Sequence, residues 1–176
     1  MRILNQPKLL TADDYARELV KTIDKSKSRV ALLATTLHSD DKLSKAIVDA
    51  LCLAAERGVI VSVCADSFTY IEPKGSLIFG AKRHSIRAVN AMRIQRKLKK
   101  AGVSFHWLGR MSNISFAGRT HTKWTIIDDT VYSFGGVNLD CSSFTNNDFM
   151  LRINDQVMAD RLYGEHLRII KADRSG

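Results

Sequence analysis

Apolar residues recur along the chain in two alternating rhythms. Thr11 stands ahead of a stretch to about Lys25 in which Tyr15, Leu19, Val20 and Ile23 fall at helical spacing, so a capped helix is expected there. Val30 to Leu37 is a continuous apolar run, the pattern of a strand buried on both faces. From Ser39 or Asp40 the helical rhythm returns, with Leu43, Ile47, Val48, Leu51 and Ala55 on one face and Gly58 as the stop. Val59 to Ala65 reads as the next strand. Strand, helix and strand at this distance make a βαβ unit, which pairs its strands in parallel.

The pattern lapses from Asp66 to Ala81, where Pro73 and Gly75 indicate a loop. A helix follows over Ser85 to Ala101, ending at Gly102. Ala91, Ile94 and Leu98 form its apolar stripe, with Arg93, Arg96, Lys97 and Lys100 on the opposite face. Strands are expected at Val103–Leu108, Thr120–Ile127 and Val131–Phe134, the last two joined through a turn at Asp128-Asp129. Phe149–Ile153 is the final strand, and Asn154 or Asp155 caps a closing helix carrying Met158, Leu162 and Ile169. The expected fold class is α/β: a mixed sheet with helices on both faces, forming one domain over residues 1–176. Within it, the loop and helix at about 66–102 read as a basic insertion.

Size and composition narrow the class. The chain has 176 residues, 45% hydrophobic and 26% charged, the balance of a single soluble globular domain. Its best apolar run, Val30 to Leu37, is too short to span a bilayer, and acids follow the N-terminus too closely for a signal peptide. Cys52, Cys64 and Cys141 are odd in number and lack CxxC spacing, which argues against a disulfide framework or a cysteine zinc site. A reducing, cytoplasmic setting is expected, peripheral membrane contact being compatible with it.

Charge changes the picture. The net charge is +9, and between Pro73 and Ile127 twelve Lys and Arg stand against no Asp or Glu. Such a segment attracts polyanions: nucleic acid, anionic lipid or phosphorylated substrate. It leads into THTKWTIIDDTVYSFGGVNLD. On a strand, His121 and Lys123 share one face while Thr122, Trp124 and Ile126 point to the other. A histidine and a lysine together do nothing for a core but suit a phosphate: imidazole as nucleophile or proton donor, ammonium on the non-bridging oxygens. Gly135-Gly136 lets the backbone approach a ligand, and Asn138 offers an amide donor. Arg93, Arg96, Lys97 and Lys100 are candidate substrate-binding residues beside the site opening. His38 and His166 read as surface or core residues.

His121, Lys123, Asp128, Gly135, Gly136 and Asn138 stand as H-x-K-x4-D-x6-G-G-x-N, which resembles the HKD signature of the phospholipase D superfamily. The flanks AIVDALCLAAERGVIVSVCAD and NNDFMLRI are similar to the segments around that signature, so the resemblance covers roughly 29–170. It implies His121 as the group that forms a phosphohistidine or protonates the leaving oxygen. Lys123 and Asn138 would hold phosphoryl oxygens, and Asp148 would orient a catalytic imidazole. Asp128 belongs to the signature but in the family supports a loop more than it touches substrate. Gly136 departs from the commoner serine and resembles the first halves of cardiolipin-synthase-like phosphatidyltransferases. The family uses two signatures, and this chain has one. The resemblance therefore implies a homodimer or the first half of a longer enzyme, with neither metal nor cofactor. Its expected activity is phosphodiester cleavage or phosphatidyl transfer on anionic phospholipid. The alternatives are a metal-independent nuclease acting as a homodimer, and a catalytically silent polyanion-binding module.

Overall fold

A computed structural model of the protein describes residues 6–70, 86–109 and 120–175. The elements run β1 (Lys8–Thr11), α1 (Ala12–Asp24), β2 (Arg29–Ala34), α2 (Lys42–Glu56), β3 (Ile60–Asp66), a 3-10 turn (Ser67–Tyr70), α3 (Ile86–Lys100) and β4 (Ser104–Leu108). They continue with β5 (Trp124–Ile127), β6 (Thr130–Ser133), α4 (Cys141–Thr145), β7 (Phe149–Asn154) and α5 (Gln156–Ser175). The strands form one seven-stranded sheet in the order β1-β7-β6-β5-β2-β3-β4. β2, β3 and β4 pair in parallel, and every other pairing is antiparallel. The sheet is therefore mixed, as the alternation of rhythms implied.

Local signals account for the helix ends. The Thr11 hydroxyl accepts from Asp14 N, and Asp41 and Ser44 satisfy one another's backbone in a capping box. Gly58 (φ 89°) takes the left-handed turn that ends α2. The apolar faces of α1, α2 and α3 bury Leu19, Ile47, Leu51 and Leu98 against one side of the sheet, with Leu32 and Val63. α5 covers the other side, over Leu33, Ile126 and Val131. β2 is thus buried on both faces, which explains its unbroken apolar run.

His166 is a polar insert in the second core. Trp124 Nε1 donates to its Nδ1 at 3.4 Å, so Nε2 carries the proton, 2.9 Å from Ser62 Oγ. Burial, with His106 nearby, pushes its pKa down to about 4.

Several expectations need correction. The run at Val30–Leu37 is a strand only to Ala34. Beyond it the backbone turns to other partners: Thr36 N donates to Asn138 Oδ1, and Leu37 forms a lone parallel bridge with Leu139. The expected strand at Thr120–Ile127 begins only at Trp124, because β2 offers no partner beyond Leu33↔Trp124. His121 and Lys123 therefore lie in the lead-in, where His121 and Thr122 are exposed and Lys123 is buried, rather than side by side on one strand face. Within the span 66–102 read as a basic insertion, α3 forms the crossover between parallel β3 and β4, its Ala88, Ala91, Ile94 and Leu98 buried. The part of that loop at 71–85 lies outside the described residues. β1 and α4 carried no periodic signal, being only 4 and 5 residues long. No described helix is long and apolar enough to cross a membrane.

Candidate active site

β2, β3 and β6 all end where β5 and β7 begin, so five strand ends share one edge of the sheet. Chemistry-bearing residues collect there: His121 and Lys123 enter β5, Gly135 to Asn138 leave β6, and Asp148 enters β7. The lead-in to β5 is tied down by Thr120, whose N–H donates to the buried Asp66 carboxylate at 2.9 Å and whose carbonyl accepts from Thr35 Oγ1 at 3.4 Å.

Lys123 is only 4% exposed. Its ammonium donates to the His121 carbonyl at 2.9 Å. Burial pushes its pKa down, and the Asp148 carboxylate opposes that shift. A desolvated cation of this kind interacts strongly with any anion that reaches it. The His121 imidazole is exposed and has no hydrogen bond to a described side chain. Asn138 is fixed by Thr36: the backbone N–H occupies its Oδ1, which leaves the NH2 as a donor. Thr36 also donates its hydroxyl to Asp140, the cap of α4, so Asn138 stands on a braced loop.

The two glycines have a steric reason. A Cβ on Gly135 would lie 1.7 Å from the Phe149 carbonyl oxygen, and one on Gly136 would lie 2.3 Å from Asp148 Oδ2. The close approach that demands glycine is thus to the β7 lead-in, whereas approach to a ligand was the expectation. Phe134, at φ 57°, turns the chain out of β6 into this passage. Asp148 Oδ1 accepts from Phe149 N at 2.7 Å and Gly136 N at 3.2 Å. The carboxylate is therefore in the site but bonded to backbone, and no bond joins it to the His121 imidazole within the chain.

Asp128 does not join this group. It sits in the β5–β6 turn, at the far end of β5 from the lead-in that carries His121. Its Oδ1 accepts from Ser28 N, Ser28 Oγ and Arg29 N, and its Oδ2 from Lys27 N, all between 2.6 and 3.0 Å. Burial alone would raise its pKa, yet these bonds hold it below the usual carboxylate range. Although it belongs to the signature, Asp128 stands apart from the candidate site and clasps the β5–β6 turn to the start of β2.

The basic helix is also placed differently. α3 runs back from the site edge toward the start of β4, so its Lys97–Lys100 end lies away from His121 by about 20 Å of helix. Lys97 is spent on Asp49, and Arg93 and Arg96 are exposed along the middle. These four residues therefore do not rim the site. The cation of α3 nearest that edge is Arg87, which donates to His38 Nε2 at 2.7 Å from Nη2. His38 is buried, its N–H bonded to the Leu139 carbonyl, and burial together with Arg87 lowers its pKa. Thr36, His38 and Arg87 went unrecognised in the sequence because their partners lie 49 to 104 positions away.

Comparison with known proteins identifies the family and the fold. Residues 19–169 match the family model described as cardiolipin synthase, PLD-like domain. No curated protein matches the chain in sequence. Among solved structures, Nuc from Salmonella typhimurium, a phospholipase D family member, superimposes with a TM-score of 0.67 at 17% identity, covering 96% of each chain. NucT from Helicobacter pylori gives 0.61 at 15% identity, over 94% of this chain and 96% of that one. Phosphatidylserine synthase from Haemophilus influenzae Rd KW20 gives 0.70 at 16% identity, over 90% of this chain but 36% of its own. At these identities the likeness is one of fold.

Proposed function

The chain belongs to the phospholipase D-like family, whose members are phosphodiesterases or transferases, and from that premise we propose that it cleaves or transfers phosphodiesters of phospholipids through a phosphohistidine at His121. The observation that carries the reading is the convergence at one sheet edge of an exposed imidazole, bonded to no described side chain, with two preset donors, the buried Lys123 ammonium and the Asn138 amide. In the proposed step an imidazole nitrogen forms a bond to phosphorus as the bond to the leaving oxygen breaks. A second imidazole donates its proton to that oxygen. Water or an alcohol then attacks phosphorus, the P–N bond breaks, and the second imidazole takes the proton of the attacking hydroxyl, which restores its starting state. Lys123 and Asn138 neutralise the equatorial oxygens, so positioning and charge supply most of the rate.

The step needs a second histidine at the site, which a second copy of the chain supplies across a two-fold interface, or a second signature in a longer chain. In this reading Asp148 holds the tautomer of the imidazole brought in that way. The cardiolipin-synthase family match and the Gly135-Gly136 pair support the lipid reading. A second reading, a homodimeric nuclease, is favoured by the end-to-end coverage of Nuc and NucT.

The test is acid-labile labelling of His121 by a radioactive phosphodiester, run in parallel with turnover of phosphatidylglycerol and of single-stranded DNA. Label on His121 and lipid turnover are expected, both lost in His121→Ala. Absence of label rejects the mechanism, and turnover of DNA alone replaces the lipid reading with the nuclease one.

A further inference from the structure

The outward side of α3 is divided along its length. Its buried line is Ala88, Ala91, Ile94 and Leu98. On the opposite side, nearer the site edge, Ile86 is 78% exposed, Val89 38% and Met92 39%. Arg93, Arg96, Lys99 and Lys100 continue that side toward the other end, and no acid occurs anywhere on the helix. Among the described residues Lys97 is neutralised by Asp49 of α2, and Arg93, Arg96, Lys99 and Lys100 make no ion pair. At 100° per residue the exposed apolar residues and these four cations occupy one arc of about 140°. A solvated helix face would mix charges of both signs, and a face built for nucleic acid has no use for exposed Ile, Val and Met.

We infer that this face of α3 docks on an anionic phospholipid surface, the aliphatic end entering the headgroup boundary and the cationic end resting on lipid phosphates. Partition of an amphipathic helix face into that boundary combines apolar burial with attraction to anionic lipid. The orientation places the aliphatic end, which shares the site edge with His121, nearest the lipid. The inference rests on the lipid reading of the site and names the surface from which that substrate would be drawn.

The test is flotation of the full chain with vesicles of phosphatidylcholine alone and of phosphatidylcholine with phosphatidylglycerol. Binding is expected only with the anionic lipid, falling as salt rises. Arg93→Gln/Arg96→Gln should weaken it about 30-fold, and Ile86→Ser/Val89→Ser about tenfold. The inference is overturned if both pairs bind vesicles as the wild type does, or if the wild type does not bind. Loss of duplex DNA binding by the arginine pair with vesicle binding unchanged would reassign the face to nucleic acid. A monomeric short-chain phosphatidylglycerol separates docking from catalysis. Ile86→Ser/Val89→Ser should turn it over at the wild-type rate while slowing on vesicles. Equal slowing on both substrates counts against docking, and no turnover by the wild type rejects the lipid reading of the site while leaving vesicle binding to stand.

Discussion

Replacing Asp128 by alanine separates a structural from a catalytic reading of the signature aspartate. The substitution orphans three backbone N–H groups, of Lys27, Ser28 and Arg29, together with the Ser28 hydroxyl. Water reaches this edge, so each lost bond is worth about 0.5–1 kcal/mol rather than the larger figure for buried charge-assisted bonds. Residue 128 also sits at φ 52°, where alanine costs about 1 kcal/mol more than aspartate. The expected loss is about 3–5 kcal/mol. Asparagine keeps the left-handed tolerance and one acceptor but turns an NH2 toward a backbone donor, so Asp128→Asn should lose about half as much. The assay is guanidinium denaturation at pH 7 and again at pH 3. The folded-state pKa is depressed, so the contribution is present above the unfolded value near 4 and fades as pH falls through the folded one. The gap between wild type and Asp128→Ala should therefore narrow at pH 3. An unchanged midpoint at pH 7 together with abolished turnover would refute the clasp and return Asp128 to the chemistry.

His166 should make the fold acid-sensitive. Its pKa near 4 against 6.5 unfolded means stability present above 6.5 declines as pH falls toward 4, by about 2 kcal/mol between pH 7 and 5. Urea midpoints of His166→Gln should lack that component, and an identical pH slope would dismiss it. Lys123→Met should abolish turnover without lowering stability, since it removes the cost of a desolvated cation. A thermal midpoint several degrees lower would show that the ammonium braces the loop. Gly135→Ala should cost about 3 kcal/mol or more, because its methyl meets backbone, whereas Gly136→Ser needs only the Asp148 side chain to move. Equal denaturation midpoints for the two variants would contradict the contact assignment.

Local chemistry determined much of this protein by itself. The helical rhythm of Leu43 to Ala55, the two-faced apolar run of β2 and the stop at Gly58 are consequences of near neighbours, and so were legible along the chain. The spacing of His121, Lys123 and Asn138 likewise located the candidate site, since one lead-in and one exit loop carry all three. Other features depend on partners far away in sequence. β1 exists because β7 lends it hydrogen bonds across 144 to 138 positions, from Lys8↔Arg152 to Thr11↔Phe149. The β2–β5 ladder stops at Leu33↔Trp124, and in the lead-in before it Lys123 is buried and His121 exposed. Asp128 lies within the signature yet serves residues 99 to 101 positions before it. Gly136 is small because Asp148 occupies the space its side chain would take. Periodicity encodes which residues turn inward, but not which strand end faces which; that follows only when the sheet order brings the ends of five strands to one edge.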